Sequence, residues 1–230
     1  MGARFAGQRP TGWGSAMPGI ASRFLTAGKE VALTLDACGG PRGAAVDEAL
    51  LGTLRRLHVP AVLFVNARWI DANPGLVERL AADPLFEIAN HGTRHVPLSV
   101  SGRAAYGITG TVSAQQAVDE VWDNHTKIAA LTGTEPRWFR PGTAHYDDVG
   151  VGIVGALGER CLGFTVNGDH GATSSAGAVR AALSSAVPGS IVIAHFNQPQ
   201  SGTAAGMAQA IPALRSTGYE FVALDERTVV

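Results

Sequence analysis

The sequence predicts an α/β protein of parallel strands, arranged either as a barrel or as a doubly wound sheet. Short apolar runs bounded by Gly, Pro, Asn or Asp alternate with longer segments of helical periodicity along most of the 230 residues. This alternation is typical of repeated β/α units. The chain has no internal repeat and no linker, so we expect one domain over residues 30–230, preceded by an irregular, glycine-rich arm over residues 1–29.

The predicted strands are short runs of mostly β-branched or aromatic residues, each ended by a turn-forming residue. In chain order they are VALTLD (31–36), AVLFV (61–65), FEIAN (86–90), WFR (138–140), CLGFTV (161–166), SIVIAH (190–195) and YEFVAL (219–224).

The predicted helices lie between these strands and are amphipathic. They cover residues 47–58, about 74–82, 113–133, 148–157, 175–185 and 204–217. In the first of them, leucines recur at helical spacing. In the helix over 113–133, Ser113 is a good N-cap and Gly133 a good stop signal.

Composition excludes several classes of function. The formal net charge is −1 and no run of Lys or Arg is present, which argues against a nucleic-acid partner. No apolar run reaches the roughly 20 residues of a membrane helix, so we expect no membrane span. The first 28 residues lack the apolar core of a signal peptide. We therefore expect a secreted or cell-envelope protein if a leader precedes this sequence, and a cytoplasmic one otherwise; the oligomeric state stays open.

Polar side chains follow five of the predicted strands at the point where each strand ends. In parallel α/β architectures the carboxyl ends of the strands form the active face. We therefore expect these side chains to converge at one site. They are Asp36, the pair Asn90 and His91, Arg140, the pair Asp169 and His170, and His195.

His91 and His95 have the spacing of a metal-binding pair. If residues 91–95 form a helical turn, both imidazoles project from one face and can share a cation. The alternative is two polar loop residues, but their position directly after a buried strand favours ligands. Such a site needs at least one more ligand, usually a carboxylate.

Asp36 is the nearest candidate for that carboxylate. It is either the third metal ligand or a general base that takes a proton from water at the metal; the alternative is capping of the glycine turn that follows. Arg140 is expected either to orient Asp36 or to bind an anionic substrate group, the alternative being a surface ion pair.

His195 suits a general acid that protonates a leaving amine. Asp169 is suited to hold an imidazole in one tautomer, although turn formation in the Asn-Gly-Asp segment explains it equally well. His58 and His125 lie on predicted helices away from the strand ends, and we expect them to be surface or cap residues.

The segments LTLDACGG, HGTRH, FRPG, NGDHG and IVIAH, in this order, resemble carbohydrate esterase family 4, the polysaccharide deacetylases. The ending GYEFVALDE is also similar, so the resemblance covers about residues 30 to 226. It implies a distorted (β/α) barrel of about seven parallel strands. It also implies a hydrolase that removes N-acetyl groups from an N-acetylglucosamine-containing glycan, with water activated at a divalent metal, expected to be zinc.

The resemblance implies a role for each converging residue. His91 and His95 match the metal-binding pair, and Asp36 matches the catalytic base. Arg140 matches the arginine that positions this base, and His195 matches the catalytic acid. Two further positions carry over: Asp169 matches the acid that tunes the histidine, and the amide of Thr143 matches the backbone N–H that holds the oxyanion.

One departure concerns the metal. The family's usual third ligand, a second acid, aligns with Ala37, which cannot coordinate. Three alternatives remain: Asp36 ligates the metal itself, Cys38 supplies a thiolate, or the site holds no tight metal. We favour a zinc-like ion held by His91, His95 and Asp36.

Other departures concern the substrate. The segment RPGT lacks the usual aromatic residue, so an aromatic wall would have to come from His145 or Tyr146. Asp169 is followed by His170, where many members have tryptophan. Two alternative functions therefore stay open beside glycan deacetylation. One is hydrolysis of a small cyclic amide or ureide on the same fold, and the other is an inactive glycan-binding relative.

Overall fold

The computed structural model describes residues 1–224 and 228–230. The residues Asp225 and Glu226, at the end of the resemblance, lie outside this range. The described strands are β1 (Trp13–Gly14), β2 (Ile20–Ala21), β3 (Glu30–Ala37), β4 (Ala61–Val65), β5 (Phe86–Asn90), β6 (Ala104–Ala105), β7 (Ile108–Thr109), β8 (Trp138–Phe139), β9 (Tyr146–Asp147), β10 (Arg160–Leu162), β11 (Val166–Asn167), β12 (Ser190–His195) and β13 (Glu220–Phe221).

The described helices are α1 (Glu48–Arg56), α2 (Ala67–Ala72), α3 (Leu76–Ala81), α4 (Ala114–Thr132), α5 (Asp148–Ala156), α6 (Ala176–Ser184) and α7 (Thr203–Ser216). Short 3₁₀ helices cover Gly2–Phe5 and Gly142–Ala144. The predicted caps of α4 are confirmed: the Ser113 hydroxyl accepts a hydrogen bond from the Gln116 amide, and Gly133 is left-handed with φ 71°.

The main sheet is parallel and strongly curled. Its strand order is β11–β12–β3–β4–β5–β8–β10–β2, with β13 also paired to β3. β11 lies at one end of this order and β10 lies next to the other end, yet only residues 163–165 join them. Three residues span at most about 14 Å, so the two ends of the sheet lie close together. This confirms the predicted distorted (β/α) barrel.

Alternation along β3 separates the two sides of the barrel wall. Val31, Leu33, Leu35 and Ala37 pack in the outer core, together with residues of α1 and α7. Ala32 belongs to the inner cluster with side chains of β4, β8 and β12. The side chains of Thr34 and Asp36 therefore also face the barrel interior.

The predicted strand over 161–166 is wrong, because β10 and β11 are separate strands. The guanidinium of Arg140 donates hydrogen bonds to the Leu162 and Gly163 carbonyl oxygens at 3.0 Å each. The Arg140 side chain thus holds these two carbonyls where the chain passes from β10 to β11, and the strand is interrupted there. The helix α2 was not predicted, since its six residues are too few for a clear periodic pattern.

The segment before residue 30 takes part in the barrel. β2 pairs in parallel with β10, and β1 pairs antiparallel with β9. Asp148 accepts hydrogen bonds from the Thr11 amide and hydroxyl, at 2.9 and 2.6 Å. These contacts carry Trp13 to the same end of the barrel as the polar strand ends.

Candidate active site

The predicted convergence of polar strand ends is present at the carboxyl end of the barrel for Asp36, His91, Arg140 and His195. The side chain of Asn90 is not part of it, because it donates to the Val121 carbonyl and to Glu159. His195 and Asp36 are register partners on the adjacent parallel strands β12 and β3, and Asp36 is in register with Phe64 of β4. Asn90 ends β5 and is in register with Phe139 of β8. Side chains from neighbouring strands are therefore delivered to one level of the barrel.

Asp36 and Arg140 form a buried ion pair. The Arg140 Nη1 atom lies 2.7 Å from Asp36 Oδ1, and the exposed fractions of the two side chains are 0% and 3%. Burial by itself raises the pKa of Asp36, but Arg140, with His91 and His195, outweighs this and holds the pKa below its usual value. Asp36 is therefore a carboxylate at neutral pH.

Arg140 is fixed on every side of its guanidinium. Besides Asp36, it donates to the Thr34 hydroxyl at 3.0 Å and to the Leu162 and Gly163 carbonyls. Its guanidinium carbon lies 4.2 Å from the ring centroid of Phe64. Arg140 has no surface for a substrate anion, so of its two predicted roles the structure supports the orientation of Asp36.

The contacts of His91 define its tautomer. Its Nδ1 lies 2.7 Å from the Arg140 carbonyl oxygen, which can only accept a hydrogen bond, so Nδ1 carries the proton. The Nε2 atom then faces the site, 3.6 Å from Asp36 Oδ2 and 3.9 Å from Cys38 Sγ. An imidazole held at Nδ1 in this way offers Nε2 to a cation once Nε2 has lost its proton, as metal-binding histidines do.

The segment that carries His91 and His95 is a loop, so the predicted helical turn is wrong. Gly92 and His95 are left-handed, with φ 76° and 62°. The buried Glu120 of α4 accepts hydrogen bonds from the amides of Arg94 and His95 at 3.0 Å each. This clamp brings the two imidazoles together, with ring centroids 4.8 Å apart.

Cys38 joins the two histidines. The donor atoms of Cys38, His91 and His95 all lie within 4.8 Å of one another. Two imidazole nitrogens and a thiolate are a donor set that suits a zinc-like cation, so the residues present fit the family's metal. Burial raises the pKa of the Cys38 thiol, but hydrogen bonds from His195, His91 and His95 outweigh this and hold the pKa well below its usual value.

Ala37 faces away from this cluster. Its side chain is fully buried in the outer core, as the alternation along β3 requires. Cys38 and Cys161 are both free thiols, so the two cysteines form no disulfide. Asp36 and Cys38 therefore both stay candidates for a third ligand, and the assignment of Asp36 stays a prediction.

His195 is held by Asp169. Its Nδ1 lies 2.8 Å from Asp169 Oδ1, and its backbone amide donates to Oδ2 at 2.8 Å. The Thr203 hydroxyl donates to the same carboxylate. Burial lowers the pKa of His195, but Asp169 and Cys38 outweigh this and raise it well above its usual value. His195 therefore carries a proton that it can donate.

The turn at Gly142–Ala144 lies against the loop that carries His91 and His95. A Cβ on Gly142 would come within 2.4 Å of the His95 carbonyl, so only glycine fits there. Thr143 and Ala144 are left-handed, with φ 71° and 55°, a conformation that costs energy for residues other than glycine. The role of the Thr143 amide as oxyanion donor stays a prediction.

Tyr146 does not line the site, and its predicted place on the substrate wall is wrong. Its side chain is fully buried, and its hydroxyl donates to the Phe139 carbonyl oxygen at 2.9 Å. It packs in the core between α4, α5 and the barrel. The reason is strand alternation: Tyr146 begins β9 facing inwards, while its neighbour His145 points outwards.

An aromatic cluster that we did not predict surrounds His145. The rings of Trp13 and Tyr106 lie 5.7 and 5.5 Å from its imidazole, between centroids. Arg103 covers Trp13 at 5.2 Å, and Tyr106 is 83% exposed at the tip of the β6–β7 hairpin. His145 bonds to the Thr143 carbonyl, so the cluster adjoins the site. It is assembled from three distant segments, which no local pattern indicates.

Two other histidines have different outcomes. His170 is exposed in the turn after β11, where its amide donates to Asn167 Oδ1. His125 was predicted at the surface, and this is wrong: it is buried on α4 and its Nδ1 lies 2.8 Å from Glu159 Oε1. Glu159 also accepts from the Asn90 amide, so this pair supports the strand that precedes His91.

Comparison with known proteins points to one family. The family model for polysaccharide deacetylase matches residues 25–162. A curated peptidoglycan-N-acetylglucosamine deacetylase, PgdA of Listeria monocytogenes, is 29% identical over 199 residues, which are 86% of this chain and 38% of the relative. The chain thus spans well under half the length of that relative.

Among the described residues, no helix is long and apolar enough to cross a membrane.

Solved structures share the fold. A peptidoglycan N-acetylglucosamine deacetylase in complex with a naphthyl-substituted N-hydroxybenzamide aligns with a TM-score of 0.77 at 21% identity, covering 91% of this chain and 92% of that one. A family 4 pseudoenzyme from Bacillus anthracis aligns with a TM-score of 0.72 at 24% identity, covering 89% and 67%. At these identities the likeness concerns the fold alone.

Proposed function

Because the chain belongs to the polysaccharide deacetylase family, we propose that it hydrolyses N-acetyl groups of an N-acetylglucosamine-containing glycan. The observation that carries this proposal is the placement of Asp36 and His195. They are cross-strand partners, one a carboxylate and the other an imidazole with a raised pKa. A base and an acid in this arrangement match the two proton transfers of amide hydrolysis.

The substrate class is proposed from the relatives. PgdA is named for N-acetylglucosamine in peptidoglycan, and a second curated relative, from Pseudobutyrivibrio xylanivorans, is named as a bifunctional xylanase/deacetylase. Both names include a deacetylase, and the first also names a long glycan. We therefore take peptidoglycan or a chitooligosaccharide as the substrate. This would place the protein where such glycans are found, in the cell envelope or outside the cell.

A divalent cation is part of the proposal, since the family is generally dependent on one. His91 and His95 would hold it, and zinc is the ion that best suits the donors present. When bound, such a cation polarises the acetyl carbonyl and lowers the pKa of water. The residues of this chain supply the proton transfers and the orientation.

Asp36 acts as the base in this proposal. Its low pKa makes it a weak base on its own, so it accepts a proton only from water that is already acidified. Arg140 keeps its Oδ1 in place, which leaves Oδ2 directed to the cluster. The buried ion pair therefore sets the direction from which the proton is taken.

His195 acts as the acid. The leaving amine needs a proton as the C–N bond breaks, and a histidine whose pKa is raised by Asp169 holds that proton at neutral pH. Its side chain is 13% exposed, so a substrate can reach it. Asp169 is fully buried and bonds to the Nδ1 side of the imidazole, so it acts through His195.

The left-handed turn at Thr143 and the aromatic cluster supply the remaining contacts. We propose that the Thr143 amide stabilises the oxyanion that develops on the acetyl group. The rings of Trp13, Tyr106 and His145 would contact a neighbouring sugar of the glycan, because partly exposed aromatic faces suit the apolar faces of pyranose rings.

The test is acetate release from peptidoglycan and from chitooligosaccharides. Purified protein is assayed as isolated, after chelation, and after addition of zinc, with Asp36→Asn as the inactive control. We expect release that is lost on chelation, restored by zinc and absent from the variant. Glycan binding without acetate release under several divalent cations would instead identify an inactive glycan-binding relative.

A further inference from the structure

We propose that Cys38 is the third protein ligand of the divalent cation, beside His91 and His95, and that its thiolate makes the site selective for zinc. The inference deepens the proposed function, on which it rests for the presence of a cation at this place. Cys38 would thereby take the place of the family's second acid, which aligns with Ala37, one position earlier in the chain.

The separations of the donor atoms fit one tetrahedral ion. With a metal–sulfur distance of about 2.3 Å and a metal–nitrogen distance of about 2.0 Å, a tetrahedral angle separates the two donors by about 3.5 Å. The separation between Cys38 Sγ and His91 Nε2 is 3.9 Å. All three donors lie within 4.8 Å of one another, so small rotations of the side chains close the site.

The donors are also held by their surroundings. The Arg140 carbonyl fixes the proton of His91 on Nδ1, which directs the Nε2 lone pair towards Cys38. The Glu120 carboxylate holds the amide of His95, and thereby the loop that carries it. Outer contacts of this kind are what metal sites use to orient their ligands.

The direction of β3 explains why the cysteine takes this role. Asp36 faces the barrel interior and Ala37 the outer core, so the next residue returns to the side of Asp36. The charge of Asp36 is already shared with Arg140 at 2.7 Å. Cys38 is partly exposed, so an ion can reach it.

A thiolate changes which cation the site prefers. Cysteine and histidine together favour zinc and similar ions, whereas magnesium and calcium prefer oxygen donors. With two histidines and one cysteine, the fourth position of a tetrahedral ion stays open for substrate, as in catalytic zinc sites. The ligand set thus agrees with a catalytic cation.

The decisive experiment is cobalt substitution followed by absorption spectroscopy. Metal-free wild-type protein is titrated with Co²⁺ beside Cys38→Ser and the matched control Cys161→Ala. We expect a thiolate-to-cobalt charge-transfer band in the near ultraviolet for the wild type and for Cys161→Ala, and no such band for Cys38→Ser. Circular dichroism of each variant checks that the barrel is folded.

Zinc affinity gives the second measurement, by competition with a chromogenic chelator. We expect Cys38→Ser to weaken zinc binding by more than about 100-fold, beyond the roughly 10–100-fold loss that removal of an outer contact causes. Cys161→Ala should bind as the wild type does.

Two results would overturn the proposal. One is a bound cobalt ion without the charge-transfer band in the wild type, which would assign the third position to Asp36. The other is acetate release by metal-free wild type that Cys38→Ser abolishes, which would make the thiolate a nucleophile. The charge-transfer band without any acetate release would support the ligand set and reject the deacetylase function.

Discussion

The carboxylate of Asp36 and the guanidinium of Arg140 meet at 2.7 Å inside the barrel, and neither is exposed to solvent by more than 3%. The pair joins the end of β3 to the end of β8, and the strands β4 and β5 lie between these two in the sheet. The carboxylate of Asp36 therefore faces the reacting groups, while the guanidinium of Arg140 is bonded to the backbone carbonyls of Leu162 and Gly163. This relationship makes Asp36 both an ionised group and an immobile one.

Asp36→Asn tests the base directly. The amide keeps the shape of the side chain but accepts no proton at neutral pH, so we expect kcat to fall by about 10²- to 10⁴-fold. The amide oxygen can still accept a hydrogen bond from Arg140, but the buried guanidinium loses its counter-charge, so we also expect a lower melting temperature, and circular dichroism checks that the variant is folded. Acetate release at near wild-type rate would remove Asp36 from its proposed role.

Arg140→Met tests the ion pair as a structural element. It leaves Asp36 buried without its cation and the carbonyls of Leu162 and Gly163 without their donor. We expect a loss of about 3–5 kcal/mol in the free energy of unfolding, measured by chemical denaturation. The matched control is Arg137→Met, whose half-exposed ion pair with Glu87 should contribute about 1 kcal/mol or less. Equal losses for the two variants would contradict the assignment.

Asp169→Asn tests how His195 keeps its proton. The Asp169 carboxylate raises the pKa of His195, so its neutralisation must lower that pKa. Because His195 has to be protonated to act as acid, activity is lost as pH rises through its pKa. We expect the alkaline limb of the kcat profile to move to lower pH in the variant. Asp119→Asn is the control, because Asp119 is exposed. An alkaline limb that does not move in Asp169→Asn would show that Asp169 does not raise the pKa of His195.

The buried pair of His125 and Glu159 predicts a pH dependence of stability. The hydrogen bond between the two side chains raises the pKa of His125, and burial raises the pKa of Glu159. The folded protein therefore holds these protons more tightly than the unfolded chain. The stability from His125 is fully present below its unfolded pKa of about 6.5 and is lost as pH rises through its folded pKa.

Chemical denaturation of the wild type and His125→Asn checks this at about pH 6 and about pH 9, on either side of the ordinary histidine pKa. We expect the variant to be less stable than the wild type by a larger margin at the lower pH. His58→Asn is the control, since His58 is exposed on the loop after α1. A margin that does not depend on pH would show that His125 is not charged in the folded protein.

Tyr106→Ala tests the aromatic cluster as a sugar-binding surface. Loss of one aromatic contact of about 0.5–1.5 kcal/mol corresponds to a roughly 2- to 10-fold rise in KM. We expect this rise for long oligosaccharides, with kcat nearly unchanged. Tyr106→Phe, which keeps the ring, should behave as the wild type. An unchanged KM in Tyr106→Ala would show that the tip of the β6–β7 hairpin does not contact the substrate.

The strands β3, β4, β5 and β12 could be predicted almost to the residue, because each is a buried run whose ends carry turn-forming or polar residues. The strand predicted at 161–166 could not, because its interruption depends on Arg140, a side chain from another part of the chain. The place of Tyr146 also escaped prediction. Whether a residue at a strand start faces the core or the site depends on register, and one position reverses the side.

The sequence alone determined the family, the barrel class and the identity of the residues that converge, because strand ends and their polar residues are local features of the chain. Only the tertiary structure decided their relations. It places Cys38 beside His91 and His95, directs the side chain of Ala37 to the outer core, and pairs Asp36 with Arg140. These outcomes depend on distances between strands and on the side to which each residue points, which are set by how the sheet curls and not by neighbours along the chain.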